Sequence, residues 1–317
     1  MNIDETARWL DERDRYLILT HRRPDGDTIG SAAGLARGLR LRGKTAYALT
    51  NPEATERYLP YIREYWAPEG YSPEFIIAVD TASREMFQVN GGEYCGRVDL
   101  CIDHHPSNTL YAKLICADFA RASCGEIIFD VLSLWEGAVD EAVAAALYVA
   151  VATDTGCFAF GNTTAQTLRA ASELALAGAP IGRINKKLFR EKTRARALLE
   201  GSVFSGLEFH YGGAAAIATV TNEMLRLAGA TENDLDDIAS LPGSIDGVSV
   251  GVTIRELSGA DGCKVSVRSG DSVNANALCA RFGGGGHAMA AGFTARERSE
   301  RVKADVISAL GDVLGAV

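Results

Sequence analysis

No run in this chain of 317 residues reaches the ~18 consecutive apolar residues that a membrane span needs. The longest candidate, AVAAALYVAVA (142–152), is too short, and Asp140, Glu141 and Asp154 flank it. The N-terminus, MNIDETARWLDERDR, carries charge where a secretory leader has an apolar core. No membrane partner is expected, and the expected location is cytoplasmic. Cysteine is sparse: seven residues, none in a C-x-x-C pair. That excludes a disulfide framework, and Cys101, Cys116 and Cys157 sit in apolar runs that predict buried free thiols. Positive charge is also short, with 32 Lys and Arg against 41 Asp and Glu, a net charge of −9. A broad basic surface for tracking long nucleic acid is thereby excluded. A small anionic substrate held through bound cations is not.

What is present is apolar material, 47% of the chain, enough for two modest cores. In the first half, YLILT (16–20), TAYALT (45–50), FIIAVD (75–80) and VDLCID (98–103) read as strands. GSAAGLARGLRLRG (30–43), RASCGEIIFDVLSLW (121–135), VDEAVAAALYVAVATDTG (139–156) and NTTAQTLRAASELALAG (162–178) read as helices. Ser123 and Glu126 have the spacing of a capping box. This alternation predicts an α/β fold, a parallel sheet with helices on both faces. Seven basic residues then crowd the stretch from Arg183 to Arg196 against one acid, Glu191, and a linker helix is expected over 183–202. A solvated face is the ordinary meaning of such a run; contact with substrate phosphates is the other. Beyond it, AAAIATVT (214–221), SVGVTIREL (249–257) and CKVSVRS (263–269) predict the strands of a smaller α/β domain. The expected division is 1–182, the linker 183–202, and 203–317.

Polar residues follow the strands in a pattern. His21, Asp25 and Asp27 come after YLILT, Asp80 after FIIAV, and Asp103, His104 and His105 after VDLCI. Asp154 follows the helical run LYVAVAT. In an open parallel sheet, ligands bind outside the carboxyl ends of the strands, where strand order reverses. The pattern therefore gathers four aspartates and two or three histidines in one crevice. Carboxylates so crowded repel, and burial makes this worse. Two divalent cations cancel four such charges, so a binuclear metal centre is expected. In extended geometry Asp25 and Asp27 face opposite ways and would feed different ions, with Asp80 placed to join them. Taken alone, Asp80 reads equally well as a helix N-cap, and His104 as a core histidine. Mixed imidazole and carboxylate donors favour Mn²⁺, with Co²⁺, Zn²⁺ or Mg²⁺ as substitutes; Mg²⁺ is the least suited to imidazole.

These residues carry a family likeness. HRRPDGDTIGS (21–31) resembles the H-x-x-x-D-x-D-x-x-G-S motif of the DHH phosphoesterases. AVD (78–80), DHH (103–105) and TDTG (153–156) are similar to the family's further motifs. GGGGHAMAAGF (283–293) resembles the glycine-rich signature of the DHH-associated C-terminal domain. The resemblance implies two Mn²⁺ ions, one held by His21 and Asp25, the other by Asp27, His104 and Asp154, with Asp80 bridging. It implies that Asp103 orients its neighbours and that His105 meets the substrate phosphate, while a water activated between the ions attacks phosphorus in line. In the second domain it implies phosphate contacts from Arg268 and from Gly284, Gly285, Gly286 and His287. The plainer readings there are an exposed strand arginine and a glycine hinge, and AAG (290–292) reads as a helical continuation. Arg22 and Arg23 flank the metal loop, open between substrate contact and solvent.

Two-domain members of this length resemble the short-RNA exonucleases of the family, which also dephosphorylate 3′-phosphoadenosine 5′-phosphate. Hydrolysis of very short oligoribonucleotides or nucleotides is therefore expected, with a cleft between the domains stacking one base. A cyclic dinucleotide phosphodiesterase, acting on cyclic di-AMP or its linear product, is the alternative within the enzyme class. A metal-retaining regulatory protein without turnover is the alternative outside it. Base rates favour a homodimer.

Overall fold

Short apolar strands walled by helices build the first of two units, Met1–Glu191. The computed structural model describes residues 1–315 apart from 236, 259–261 and 271. Helix α1 (Ile3–Asp11) leads into β1 (Tyr16–Leu19), α2 (Gly26–Leu41), β2 (Ala46–Ala48), α3 (Leu59–Ile62) and β3 (Phe75–Val79). There follow α4 (Gly92–Cys95), β4 (Leu100–Asp103), β5 (Leu114–Ala117), α5 (Cys124–Ser133), α6 (Glu141–Asp154), α7 (Ala165–Leu176) and α8 (Ile181–Asn185). The strands form one parallel sheet in the order β2-β1-β3-β4-β5. Strand order reverses at β1 and β3, which fixes where a ligand crevice opens.

Side chains alternate across this sheet. Ile18, Ile77 and Ile102 join a core under α2, α5 and α6, while Leu17, Leu19, Ile76 and Cys101 join the opposite one with Phe87 and Val98. The edge strand β5 was not expected from the sequence. LICA is four residues long and only partly buried, too brief for a periodicity to show. Helices α2 and α6 lie unusually close: a Cβ at Gly30 would sit 2.3 Å from the Ala146 carbonyl oxygen. Asp140 caps α6 by accepting from the Val143 N–H at 2.9 Å, and its Oδ2 accepts from Nε and Nη2 of Arg37 on α2 at 3.0 and 2.8 Å.

The expected linker helix over 183–202 is not continuous. After α8 comes a π-helical turn (Lys186–Arg190), then extended Glu191. The Thr193 hydroxyl accepts from the Arg196 N–H at 2.9 Å and starts a new helix, α9 (Arg194–Ser205). The second unit, Lys192–Val317, continues with β6 (Glu208–His210), β7 (Ala215–Val220), α10 (Asn222–Ala228), β8 (Val250–Glu256) and β9 (Cys263–Ser269). It ends with α11 (Ala275–Ala280), β10 (Gly285–Gly286), β11 (Ala290–Ala295) and α12 (Ser299–Leu314). Its sheet runs β10-β11-β9-β8-β7-β6, with only the β7–β8 pair parallel. Residues 290–292 are thus strand, not the expected helix. Ala291 and Phe293 are buried with the period of two that a strand imposes. Gly286, at φ 150°, adopts backbone that a side chain disfavours, so the glycine run tightens a hairpin.

All seven cysteines are free, but Cys157, expected buried, is half-exposed in left-handed backbone. Among the described residues, no helix is long and apolar enough to cross a membrane.

Candidate metal centre

The carboxyl ends of β1, β3 and β4 deliver their polar residues to one place. His21 follows β1, Asp80 follows β3, and Asp103 ends β4 with His104 and His105 after it. Asp25 and Asp27 do not lie in the extended loop expected for them; Asp25 is the N-cap of α2 and Asp27 lies in its first turn. They diverge all the same. Asp25 Oδ1 accepts from the N–H groups of Asp27 and Thr28 at 3.0 and 3.1 Å and remains exposed. Asp27 is fully buried and accepts from Ser31 Oγ at 3.0 Å. The N–H groups of Cys124 and Gly125, at the start of α5, donate to Asp27 at 2.7 and 3.0 Å. Asp154 reaches the same place as the last residue of α6.

Two sets of donors result, and Asp80, a member of one, also reaches the histidine of the other. His21, Asp25 and Asp80 form one; Asp27, His104 and Asp154 form the other. His21 Nε2 lies 3.6 Å from Asp25 Oδ1 and 3.5 Å from Asp80 Oδ2. His104 Nε2 lies 3.6 Å from Asp27 Oδ2, 3.4 Å from Asp80 Oδ1 and 3.3 Å from Asp154 Oδ2. Asp80, His104 and His105 make a third, overlapping group. Ligands held about 2.1 Å from one ion stand about 3.0–3.4 Å apart at octahedral to tetrahedral angles, close to these spacings.

Each first-named histidine is turned for ligation. His21 Nδ1 donates to the Arg22 carbonyl at 2.8 Å, and His104 Nδ1 donates to the Arg121 carbonyl at 3.2 Å. Both Nε2 atoms are left to the carboxylates, the arrangement metal-binding histidines require. His105 differs: its Nδ1 donates to Asp103 Oδ1 at 2.8 Å. Asp103 also accepts from the N–H of His104 and from the amide of Asn108, so this buried carboxylate fixes the turn that carries both histidines.

The electrostatics describe a site in want of cations. Burial pushes the Asp27 carboxyl well up, and repulsion from Asp80 and Asp154 adds to it. Burial and the Asp80 charge raise Asp154 to about 7. Burial opposes charge on His21 and His104, yet the carboxylates prevail and hold them near 11 and 10. The carboxylates thus favour positive charge on both rings, the same field that would favour a bound cation. Asp80 is buried and also adopts φ 52°, and its Oδ1 has no hydrogen-bond partner among the described residues. An orphaned buried carboxylate oxygen between two histidines fits a bridging ligand to divalent ions. Asp80 caps no helix: the next helical turn begins only at Arg84.

The second unit gathers its own polar set. Arg268 on β9 pairs in register with Ala290 on β11, and Gly286 on β10 pairs with Ala291. Arg268 and the Gly285–His287 hairpin therefore share one end of that sheet. His287 is exposed, Gly284 is half-buried beneath Gly292, and Arg268 Nη1 donates to its own neighbour's carbonyl, that of Val267. Arg22 and Arg23 are exposed.

Residues 15–152 match the model of the DHH family, N-terminal domain, and residues 215–316 match that of the DHHA1 domain. A bifunctional oligoribonuclease and PAP phosphatase, NrnA of Thermus thermophilus, is 37% identical over 278 residues, covering 87% of this chain and 83% of that protein. The chain belongs to the DHH family. NrnA of Bacillus subtilis, with the same description, is 28% identical over 95% of this chain and 96% of its own. In fold, the DHH chain is similar to an exopolyphosphatase-related protein from Bacteroides fragilis, at a TM-score of 0.86 and 22% identity, covering 99% and 97% of the two chains. As a DHH protein with these relatives, the chain is a phosphoesterase, a hydrolase.

Sequence reasoning named the charged side chains and one support, Asp103, but missed those of Asp27. Ser31 was legible as a residue one helical turn beyond Asp27. The N–H groups of Cys124 and Gly125 carry no side-chain signature. The supposed capping box is half formed: Ser123 accepts from the Glu126 N–H at 3.3 Å, whereas the Glu126 carboxylate is buried against Arg121.

Proposed function

We propose that this DHH protein hydrolyses very short oligoribonucleotides and 3′-phosphoadenosine 5′-phosphate with two divalent ions, Mn²⁺ in the first place and Co²⁺ or Mg²⁺ as substitutes. The observation that carries the reading is the place of Asp80 between two histidines, its Oδ2 3.5 Å from His21 Nε2 and its Oδ1 3.4 Å from His104 Nε2. The descriptions of the two NrnA relatives supply the substrates. His21 and Asp25 would hold one ion, Asp27, His104 and Asp154 the other, and Asp80 both. When bound, such a pair lowers the pKa of a water and draws charge from phosphoryl oxygens.

The chain's own groups do the rest. Asp103 fixes the His105 ring and raises its pKa, which favours the doubly protonated form. The Nε2–H of His105 then donates to a phosphoryl oxygen as charge develops there. The turn at the end of β4 is held by Asp103 and Asn108, so this donor is set before substrate arrives. Arg268, a planar fork of donors, and the exposed His287 side chain would take a phosphate in the second unit. The N–H groups of Gly284, Gly286 and His287 already donate to the Cys279 carbonyl, Asn276 Oδ1 and the Ala290 carbonyl at 3.0, 3.0 and 2.8 Å, so Gly284, Gly285 and Gly286 would shape the hairpin beside them.

Purified full-length protein with Mn²⁺ should release mononucleotides from 5′-phosphorylated diadenylate and AMP from 3′-phosphoadenosine 5′-phosphate. Cyclic di-AMP tested beside them should be the poorest of the three. Preference for cyclic di-AMP would transfer the assignment to the cyclic dinucleotide phosphodiesterases. Metal binding without hydrolysis of any of them would leave a regulatory protein.

A further inference from the structure

One short segment, Arg121–Gly125, holds two members of one metal set directly and the third, Asp154, through Asn162; among the described residues it makes no hydrogen bond to the other set. The Arg121 carbonyl accepts from His104 Nδ1 at 3.2 Å. The N–H groups of Cys124 and Gly125 grip both oxygens of Asp27. The Ala122 carbonyl accepts from the Asn162 amide at 3.4 Å, and that same amide donates to the Asp154 carbonyl at 3.0 Å. The set of His21, Asp25 and Asp80 is held differently, by the Arg22 carbonyl and the first turn of α2.

The segment is itself clamped by a side chain that the proposed chemistry does not use. The Arg121 guanidinium donates through Nε to Asp118 at 3.0 Å and through Nη2 to Asp130 at 2.6 Å. Its Nη1 lies 3.7 Å from Glu126, whose carboxylate is fully buried with no hydrogen-bond partner among the described residues. Arg121 is thus the cation facing that buried carboxyl, whose pKa burial pushes up. Three acids around one planar fork fix the backbone of residue 121 far more tightly than an ordinary loop position.

We infer that Arg121 is a positioning residue for one metal ion only, the one assigned to Asp27, His104 and Asp154. This rests on the two-metal reading above. Supports of this kind, which orient a ligand from behind, change metal affinity by about 10–100-fold when lost. Arg121→Lys keeps a positive charge against Glu126 but removes the fork. Titrating Mn²⁺ calorimetrically into metal-stripped, full-length protein should give two binding events for the wild type. In Arg121→Lys one event should weaken by about 10–100-fold, and the other should stay within about threefold. Co²⁺ substitution should show the same split: part of the visible absorption of the bound ion is lost at matched Co²⁺ and returns at higher concentration. Asp130→Asn removes one arm of the clamp without exposing Glu126, and it should shift the same event in the same direction. It decides the matter if Arg121→Lys does not fold. Equal weakening of both events, or none, overturns the inference. A wild type that binds no Mn²⁺ sinks the two-metal reading beneath it.

Discussion

Asp80 is the residue on which most of the site turns. It sits at the carboxyl end of β3, next to the reversal of strand order, in left-handed backbone that costs free energy. Its two oxygens face different histidines: Oδ2 is 3.5 Å from His21 Nε2, and Oδ1 is 3.4 Å from His104 Nε2. Removing it should therefore affect both metal sets at once. Asp80→Ala should retain neither Mn²⁺ ion through desalting, and its turnover should fall by well over about 100-fold, the upper end for loss of a mere ligand support. Metal content by elemental analysis, read beside kcat, checks this; a variant that keeps one ion would show that Asp80 does not bridge. At this scale the sequence was highly legible. A ligand carboxylate or imidazole is visible as a polar residue straight after an apolar strand, and His21, Asp80 and His104 all announce themselves so. What stayed hidden is backbone. The N–H groups that hold Asp27 and the carbonyls that turn His21 and His104 belong to residues of any type.

At the scale of elements, α2 and α6 carry the site between them, since Asp25 and Asp27 open the one and Asp154 closes the other. Glycines let the two helices approach, and the Arg37–Asp140 pair ties them at the far end of α6. Burial pushes the Asp140 carboxyl up, but the Val143 N–H and the Arg37 guanidinium outweigh it and hold it below its ordinary 3.8. A depressed acid contributes stability that is fully present above its unfolded value and disappears as pH falls through the lower folded one. Asp140→Asn keeps a good N-cap and removes only the charge. It should cost about 0.5–1 kcal/mol at pH 7, as a partly exposed ion pair does. The gap from wild type should close as pH drops below 3.8. Urea midpoints at pH 7 and pH 3 read it, and a gap that ignores pH would put the cost elsewhere. Long elements with an unbroken apolar run, such as the all-round apolar α6, were legible in advance. The misses share a cause. In β5, in the strand at 290–295 and in the broken linker, tertiary pairing or a local cap decided a segment whose own pattern was too short or too ambiguous.

For the whole molecule, the two-unit division gives metal binding a spatial signature. Every residue of the candidate sets lies within Met1–Glu191, and the second unit has a separate core of Ile217, Val250, Val252, Ile254, Val265 and Val267. A ligand that binds only the folded form adds stability by mass action, about 2.7 kcal/mol per site at a hundred times its dissociation constant. That stability accrues to the unit whose unfolding destroys the site. Mn²⁺ should therefore slow amide exchange in β1, β3, β4, α2 and α6, by a factor of about 100 for each ion so bound where exchange needs opening of the whole unit. Exchange in β7, β8 and β9 should be unchanged in the same sample. Mass spectrometry of full-length protein, stripped and then loaded, separates the outcomes peptide by peptide. Equal protection of both units would mean that the ions are held jointly, and the ligand assignment would then have to include groups from the second unit. Protection confined to the first unit would leave the second free to act on substrate alone, the division of labour that Arg268 and the glycine hairpin are proposed to serve.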